Sequence, residues 1–480
     1  MTMTRSSGTF GERLVAELGV DLVTLAADLG TRRVRDWSGT PGAEPVALIR
    51  PRTTQDVSRA LAFCHANRQA IVTQGGLTGL AGGANLLGGE VALSLERMSA
   101  IEEIDPVSGA ITVQAGAVLQ RVQEAADTAG MMFPLDLGAR GSCTIGGNLA
   151  TNAGGNRVIK YGMARDHVLG LEAVLADGTV VSDLHKMIKN NSGYDLKNLL
   201  IGSEGTLGVI TRAVMRLAPR PAGVSTAWCG LPDFAAVTRL LQHARARMSG
   251  GVSAFEVMWP SYYDYVLANV TTVRAPLDTR HAFYVLLESV GPDAGLQAEA
   301  FETMLGEMLD AGVIENAALA SSAADAARFW AVRDAPAEFP LLLPGLIGFD
   351  ISFSIADIGA VAQQCEAMLH ARWPGIRTLV YGHLGDGNLH VIAHLKDAPP
   401  DLEEHVDAAV YALTREWHGA VSAEHGIGAK KRAYLGHTRD AGAIAAMHAI
   451  KRALDPLNLL NPGKVLTEAA PGMSSLTGAL

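Results

Sequence analysis

The sequence has little of several features that mark particular classes of protein. Of its 480 residues, 5% are aromatic and 18% are charged, and the formal net charge is −10. Proteins that bind nucleic acid present a basic surface, so this acidic balance argues against a nucleic-acid partner. The 4 cysteines are scattered without the paired spacing of a zinc site or a disulfide framework. They indicate free thiols in a reducing compartment.

Long apolar runs are also missing. The N-terminal stretch MTMTRSSGTFGERL lacks the apolar core of a secretion signal, and no stretch approaches the ~18 consecutive apolar residues of a membrane span. We therefore expect a cytoplasmic protein without a membrane span. The chain exceeds the ~250–300 residues at which a single hydrophobic core stops growing, so two domains are expected.

The first half of the chain alternates between short strands and amphipathic helices. The helix-like run RTTQDVSRALAFCHANR precedes the buried strand AIVTQ, and the helix VLQRVQEAADTAG follows the strand AITVQAG. Asp177-Gly178 joins two alternating runs and predicts a hairpin. Pro219 and Pro221 then mark a boundary.

Beyond this boundary the helices become longer. They separate strands such as HAFYVLLES and GFDISFS, which predicts a second α+β domain with helices laid on an antiparallel sheet. The run IKRALDPLNLL predicts a last helix that ends against a proline. We predict a first domain at 1–222 with a lead-in helix at 1–40, a second at 223–455, and a separate C-terminal segment at 456–480.

Three glycine-rich stretches stand out in the first domain. Residues 73–84, TQGGLTGLAGGA, follow a predicted strand, and glycine lets successive N–H groups point into one concavity that holds an anion such as a diphosphate. The spacing differs from the G-x-G-x-x-G of a nicotinamide loop, and a simple compound turn is the alternative. Polar glycine-rich stretches recur at 134–162 and 190–211, which suits a long cofactor with a diphosphate between flat rings.

Together these stretches resemble a known family. The motifs QGGLTGLAGG, PLDLGARGSCTIGGNLATNAGG, NSGYDLKNLLIGSEGTLGVIT, YGHLGDGNLH and SAEHGIG are similar to those of FAD-dependent D-2-hydroxy acid dehydrogenases, a branch of the vanillyl-alcohol oxidase/p-cresol methylhydroxylase superfamily. The resemblance implies an α+β fold: a two-subdomain FAD-binding domain of the vanillyl-alcohol oxidase type and an α+β cap domain with an antiparallel sheet.

The resemblance also implies which residues bind FAD. The diphosphate falls to the first glycine loop, the flavin to the second, and the C-terminal segment returns to the cofactor. A covalent flavin link in this superfamily commonly uses a histidine of the first loop, and none lies between residues 70 and 90, so we expect non-covalent FAD. The expected FAD-binding residues are Gln74, Gly75, Gly76, Leu77, Thr78, Gly79, Leu80, Pro134, Leu135, Gly138, Gly141, Ser142, Cys143, Ile145, Gly146, Gly147, Ala150, Thr151, Asn152, Gly154, Gly155, Tyr161, Gly205, Val209, Ile210 and Asn461.

Histidines in the second domain predict a metal site. If Asp386 and Gly387 form a two-residue hairpin turn, His383 falls opposite His390, close enough for the two to share one ion. The resemblance adds Glu424 of SAEHGIG as the third ligand. Two imidazoles and one carboxylate match a catalytic Zn²⁺ site, although Mn²⁺ or Fe²⁺ fits nearly as well. The alternative is that these are ordinary polar residues beside turns.

Two further residues are expected to act on the substrate. His425 is the expected general base, because a neutral imidazole near pH 7 can accept a hydroxyl proton; a fourth metal ligand is its alternative role. Arg333 matches the family's carboxylate clamp, which grips a carboxylate with two parallel hydrogen bonds. Its alternative is a surface arginine paired with Asp334 or a nearby glutamate.

The chain departs from its relatives where these surround the substrate. The 2-hydroxyglutarate branch has a threonine, a lysine and an asparagine at the positions of Ala337, Gly348 and Ile392. A distal carboxylate would meet no cation there, and an unpaired buried charge costs several kcal/mol. We therefore expect a monocarboxylic substrate, lactate-like or with an apolar tail.

The predicted function is oxidation of a D-2-hydroxy acid to the 2-oxo acid, with hydride passing to flavin N5. The alternatives are a D-2-hydroxyglutarate dehydrogenase, an FAD oxidase of the same superfamily, and a flavin-bearing subunit of a glycolate-oxidising complex. The expected partners are an external electron acceptor (an electron-transfer flavoprotein, a quinone or a cytochrome) and, in a homodimer, a second copy.

Overall fold

A computed structural model of the chain describes residues 8–467. The outer ends of the predicted lead-in (1–7) and of the predicted C-terminal segment (468–480) lie outside the described residues. Within the described part, no helix combines the length and the apolar character needed to cross a membrane.

The chain begins with a small parallel sheet and two helices. Each helix starts at a capping box, formed by Thr9 with Glu12 and by Thr53 with Asp56, so the first backbone N–H groups are satisfied. The strand order is β1-β2-β4-β3, with β2, β4 and β3 parallel. The elements are α1 (Phe10–Leu18), β1 (Val23–Leu25), β2 (Ala47–Ile49), α2 (Thr54–Ala66), β3 (Ile71–Gln74) and β4 (Val91–Ser94). The lead-in therefore contributes an antiparallel strand, β1, besides its helix, which the sequence did not reveal because the strand is only 3 residues long.

A second subdomain follows, built on a five-stranded antiparallel sheet in the order β5-β6-β10-β8-β9 and a two-stranded sheet of β7 and β11. Its elements are β5 (Ile101–Asp105), β6 (Ala110–Gln114), α3 (Leu119–Thr128), β7 (Met131–Met132), α4 (Ile145–Thr151), α5 (Val158–Tyr161), β8 (Val168–Val174), β9 (Val180–Asp183), α6 (Leu196–Leu200), β10 (Val209–Arg216) and β11 (Ala218–Pro219).

The predicted hairpin at Asp177-Gly178 is confirmed, with one correction. Strands β8 and β9 pair from Val174 and Val180 outward, and Gly178 takes a φ of 91° in the turn. The expected alternation of buried and exposed residues is wrong for β8, because every residue of it is buried. Apolar clusters cover this sheet on both faces.

The second half of the chain forms a seven-stranded antiparallel sheet in the order β15-β12-β14-β13-β17-β18-β16, as the sequence predicted. The strands are β12 (Gly223–Leu231), β13 (Val252–Met258), β14 (Phe283–Gly291), β15 (Asn316–Leu319), β16 (Ile347–Ser352), β17 (Arg377–His383) and β18 (Asn388–His394). The helices are α7 (Phe234–Arg247), α8 (Pro260–Asn269), α9 (Ala294–Asp310), α10 (Ala323–Arg333), α11 (Phe339–Leu342), α12 (Ile358–Arg372), α13 (Leu402–Glu416), α14 (Leu435–Thr438) and α15 (Ala441–Leu454).

The two faces of this sheet pack against different sets of helices. One face packs against α7, α9, α12 and α13, with Val380 and Val391 in a common apolar core. The opposite face packs against α8, α10 and α11 and carries Tyr381 and Ile392. Side chains alternate along a strand, so His383 and His390 share this second face.

The end of the described chain returns to the first sheet. Helix α15 ends before Pro456, as the sequence predicted. The N–H of Ile71 donates to the carbonyl of Leu459 at 2.8 Å, and the N–H of Asn461 donates back to the carbonyl of Ile71 at 2.8 Å. The C-terminal segment thus lies alongside β3, next to the first glycine loop.

Candidate active site

A cavity of about 670 Å³ lies where the two halves of the molecule meet. The glycine loops line it from the first domain, and residues of α10, β17, β18 and the SAEHGIG loop line it from the second. Of the predicted FAD-binding residues, those in its wall are Gly75, Gly76, Leu77, Thr78, Gly79, Leu80, Gly138, Cys143, Gly146, Gly147, Ala150, Thr151, Gly154, Gly155, Gly205, Val209, Ile210 and Asn461.

The first two glycine loops touch backbone to backbone. A Cβ atom on Gly76 would lie 2.1 Å from the carbonyl oxygen of Ser142, and one on Gly75 would lie 2.6 Å from Oγ1 of Thr144. A side chain at Gly76 would therefore force the loops apart, because it would meet backbone, whereas one at Gly75 would displace the side chain of Thr144. Glycine here reflects a required close approach.

Polar atoms in the cavity wall fit a long polar cofactor. Oγ1 of Thr73, Oγ1 of Thr144 and Nδ2 of Asn148 are buried and have no hydrogen-bond partner within residues 8–467. Buried polar groups normally have partners, so these atoms indicate that a bound molecule supplies them. The residues present fit FAD.

Other predicted FAD-binding residues lie behind the wall. Gln74 donates from Nε2 to the carbonyls of Val34 and Ala84, both at 2.9 Å, and so braces the first loop. Asn152 ends α4 in the left-handed conformation, and its Oδ1 accepts from the N–H of Arg165 at 2.9 Å. The residues that the structure does not bring into the wall are Gln74, Pro134, Leu135, Gly141, Ser142, Ile145, Asn152 and Tyr161.

The second half of the chain contributes the predicted metal site. The structure brings His383, His390 and Glu424 together, with one candidate ligand atom from each lying within 4.8 Å of the others. Nε2 of His383 lies 3.8 Å and Nε2 of His390 lies 3.9 Å from Oε1 of Glu424. Glu424 is oriented by the N–H of Gly155, which donates to its Oε2 at 2.7 Å. The donor set is that of a zinc-type site.

The strand register that led to this prediction is wrong. His390 pairs with Tyr381, because four residues, 384–387, separate the strands and Gly387 alone takes the left-handed conformation among them. A two-residue turn would instead have placed His383 opposite His390. The two histidines are diagonal neighbours on one face, with ring centroids 5.2 Å apart.

Arg333 is buried and paired with a residue that the sequence analysis missed. Its Nε donates to Oε2 of Glu256 at 2.6 Å, and its guanidinium lies 4.8 Å from the centroid of the Tyr381 ring. Of the alternative stated for Arg333, the surface position and the pairing with Asp334 are wrong, but the pairing with a glutamate is observed. Glu256 accepts from Nε of Arg333, and Nη2 lies 3.3 Å from Nε2 of His383. A guanidinium has five N–H donors, so Nη1 and the second N–H of Nη2 stay available to a carboxylate at the cavity wall.

Glu256 also contacts the metal site, through Nδ1 of His383 at 2.7 Å. Burial is the largest single influence and lowers the pKa of His383, but the carboxylates of Glu256 and Glu424 together outweigh it and raise the pKa to about 10. Burial, with the charge of His383, lowers the pKa of His390 to about 3. A metal ion would need both imidazoles neutral, so binding would release the proton of His383.

The loop that carries Glu424 and His425 is attached at both ends. Oδ2 of Asp350 accepts the N–H of Glu424 at 3.1 Å and that of His425 at 2.9 Å. At the far end, Glu204 accepts the N–H of Ile427 at 2.7 Å and the next N–H at 2.8 Å. His425 lies in the cavity wall with 28% of its side chain exposed, and its Nδ1 is 3.7 Å from Asp350. It can therefore reach a bound molecule.

The three substituted positions are placed differently from one another. Ala337 lines the cavity together with Pro336 and Pro340. Gly348 and Ile392 pair across β16 and β18, but the structure does not bring them into the wall. Ile392 instead joins the apolar cluster beneath Tyr381.

Several wall residues were not expected from the sequence. Asp36 and Trp37 come from the lead-in, where no motif marks them. Glu204 and Tyr381 lie within the motifs NSGYDLKNLLIGSEGTLGVIT and YGHLGDGNLH, whose glycines and histidines carry the stronger signal. Arg140 lies within the second glycine-rich stretch, and its Nε is 3.2 Å from Oδ1 of Asp136. Pairing with a carboxylate partly neutralises its charge.

Two domain families match the chain. Residues 45–183 match the FAD binding domain, and residues 220–465 match the C-terminal domain of FAD linked oxidases. In the solved structures, p-cresol methylhydroxylase with substrate bound shares the fold, with a TM-score of 0.75 at 19% identity, covering 95% of this chain and 96% of that one. The two family matches define an FAD-dependent oxidoreductase, and the predicted fold class and FAD cofactor are confirmed.

Sequence relatives narrow this class. A mitochondrial D-2-hydroxyglutarate dehydrogenase of Bos taurus is 40% identical over 433 residues, covering 90% of this chain and 78% of that protein. A D-2-hydroxyglutarate dehydrogenase of Xanthomonas citri pv. viticola is 37% identical over 446 residues, covering 91% and 93%. The chain belongs to the FAD-dependent D-2-hydroxy acid dehydrogenase branch of the vanillyl-alcohol oxidase/p-cresol methylhydroxylase superfamily, as the motifs predicted.

Proposed function

We propose that this enzyme oxidises a D-2-hydroxy acid to the 2-oxo acid with non-covalent FAD and a divalent metal ion, Zn²⁺ in the first instance. The observation that carries the proposal is the convergence of His383, His390 and Glu424 in the wall of the FAD cavity, beside Arg333 and His425. An enzyme that only bound flavin would not need this cluster. FAD supplies the two-electron acceptor of the reaction.

Each residue has a separate task in this proposal. The terminal nitrogens of Arg333 hold the substrate carboxylate and fix which face of its α-carbon is presented. His383, His390 and Glu424 would hold the metal ion, which would supply a Lewis acid that lowers the pKa of a hydroxyl group. His425 accepts the hydroxyl proton, and Asp350 orients the segment that carries it.

We propose that the substrate is monocarboxylic, lactate-like or with an apolar tail. Ala337, Pro336 and Pro340 in the wall, and Ile392 behind it, offer no positive charge to a second carboxylate. The second candidate is D-2-hydroxyglutarate, which the names of the two relatives favour.

Three further properties stay predictions. They are a cytoplasmic location, a homodimeric state, and an electron-transfer flavoprotein, a quinone or a cytochrome as the electron acceptor. The Bos taurus relative is, by its name, a mitochondrial protein.

Metal analysis combined with turnover tests the proposal. The purified protein should contain about one divalent ion per chain, and EDTA should abolish turnover with an artificial electron acceptor while FAD stays bound. His390→Ala should lose metal and turnover, whereas His394→Ala, on the same strand outside the cluster, should keep both. Full turnover in metal-free protein would remove the metal from the reaction.

The same preparation separates the rival functions. An oxidase would consume O₂ at the rate of substrate oxidation, and a silent flavin-bearing subunit would show no turnover with any 2-hydroxy acid. We expect turnover that depends on the artificial acceptor.

A further inference from the structure

Glu256 joins the two halves of the candidate site. It lies in β13 directly opposite His383 of β17, and its side chain is 1% exposed. Oε1 lies 2.7 Å from Nδ1 of His383, and Oε2 lies 2.6 Å from Nε of Arg333. One buried carboxylate thus contacts both a predicted metal ligand and the predicted carboxylate clamp.

This contact decides which nitrogen of His383 is free. A carboxylate only accepts hydrogen bonds, so Nδ1 must carry the proton that it donates to Glu256. In the neutral imidazole Nε2 then keeps its lone pair, and Nε2 is the atom that lies 3.8 Å from Oε1 of Glu424. The nitrogen that faces the cluster is therefore the one able to bind an ion.

The same contact limits the orientation of Arg333. Glu256 holds its Nε, and Nη2 lies 3.3 Å from Nε2 of His383. The hydroxyl of Tyr262 donates to the backbone carbonyls of Val332 and Arg333 and so holds the end of α10. A guanidinium is planar, so fixing Nε also fixes the direction of the two terminal nitrogens.

We propose that Glu256 is a positioning residue. Its single carboxylate sets the tautomer in which His383 can bind a metal ion, and it fixes the direction of the two terminal nitrogens of Arg333. The inference rests on the proposed function, since it assigns Glu256 to the metal and substrate described there. Carboxylates that accept from a metal-binding histidine change metal affinity ~10–100-fold when they are replaced.

Glu256→Gln separates the two tasks. Arginine cannot accept a hydrogen bond, so the amide oxygen must face Arg333 and the amide NH₂ must face His383. The NH₂ group donates to Nδ1 and drives the proton to Nε2, which blocks the metal ligand while Arg333 stays held. We expect metal affinity of the FAD-loaded protein, measured by competition with a chelator, to fall ~10–100-fold. The KM for substrate at saturating metal should change little.

Two further variants keep the test decisive if Glu256→Gln folds poorly. Glu256→Asp retains the counter-ion of Arg333, but its carboxylate is one methylene shorter and cannot hold both partners, so metal affinity should also fall. The matched control is Glu288→Gln, which removes a buried carboxylate of the neighbouring strand that accepts from Ser253 and Trp330. The control should keep the wild-type metal affinity.

The outcomes are distinct. Weaker metal binding in both Glu256 variants, with normal FAD content and an unchanged control, supports the inference. Wild-type metal affinity in folded Glu256→Gln or Glu256→Asp overturns it and leaves the proposed function intact. Wild-type protein that binds no metal overturns both.

Discussion

The enzyme should discriminate strongly between substrates with an apolar tail and substrates with a second carboxylate. The perturbation is a second carboxylate on the substrate, which enters a region lined by Ala337, Pro336 and Pro340. Of the described residues in the cavity wall, Arg333 and Arg140 are the ones with a permanent positive charge. Arg333 is assigned to the first carboxylate, and Arg140 is paired with Asp136 at 3.2 Å.

The magnitude follows from the cost of an unpaired charge. A buried charge without a partner costs several kcal/mol, and partial contact with water reduces that penalty. We therefore expect a loss of at least ~10-fold in kcat/KM for D-2-hydroxyglutarate against D-lactate or an apolar-tailed D-2-hydroxy acid, equivalent to about 1.4 kcal/mol. The assay is steady-state turnover with an artificial acceptor over a panel of D-2-hydroxy acids.

A double variant gives the matched test. Gly348→Lys with Ile392→Asn supplies a cation and an amide at the positions where the diacid-specific relatives have them. Neither position lies in the cavity wall itself, so the effect depends on the new side chains reaching the wall, and the variant should then narrow the gap in kcat/KM. A Cβ atom on Gly348 would lie 3.5 Å from Cδ1 of Ile392, an ordinary contact, so Gly348→Ala serves as the control and should leave the preference unchanged. A wild-type preference for the diacid would refute the reasoning and would point to Arg140 as the missing cation.

Three further predictions test other parts of the account. His425→Ala should lower kcat by ~10²–10⁴-fold with little change in substrate affinity, and an effect confined to KM would make His425 a binding residue. Acid precipitation should release FAD into the supernatant, because residues 70–90 contain no histidine; yellow colour in the pellet would refute this. His167 is buried, and burial lowers its pKa to about 4, below the ~6.5 of the unfolded chain. The unfolded state therefore binds the proton first, and the contribution of His167 to stability should fall by about 2 kcal/mol from pH 7.5 to 5. Urea unfolding of His167→Phe should show a smaller fall, and an equal fall in both proteins would contradict the assignment.

The sequence predicted most of the fold because its local signals agree with its packing. Capping residues and apolar spacing marked α2, and Pro456 marked the end of α15. The burial of β8 could not be predicted in the same way. Buried and exposed residues alternate along a strand only when one face of the sheet meets water, and both faces of β8 are covered.

The site was predicted where motifs carry unusual residues and missed where they do not. The glycine loops and the histidines of YGHLGDGNLH depart from ordinary core composition, and they converge in the structure. Glu256 lies in an unremarkable strand pattern, and its partner His383 is 127 residues away, so only tertiary register reveals it. The hairpin register failed for a local reason, since Asp386-Gly387 is part of a longer turn.

The central claim is that a D-2-hydroxy acid reduces the bound flavin with the help of the metal cluster. Anaerobic mixing of the FAD- and metal-loaded protein with D-lactate or an apolar-tailed D-2-hydroxy acid, followed by the visible absorbance of the flavin, tests it most directly. We expect rapid bleaching with the D-enantiomer, little with the L-enantiomer, and slow bleaching after the metal is removed and FAD retained. Equal rates with both enantiomers, or an unchanged rate without metal, would contradict the account.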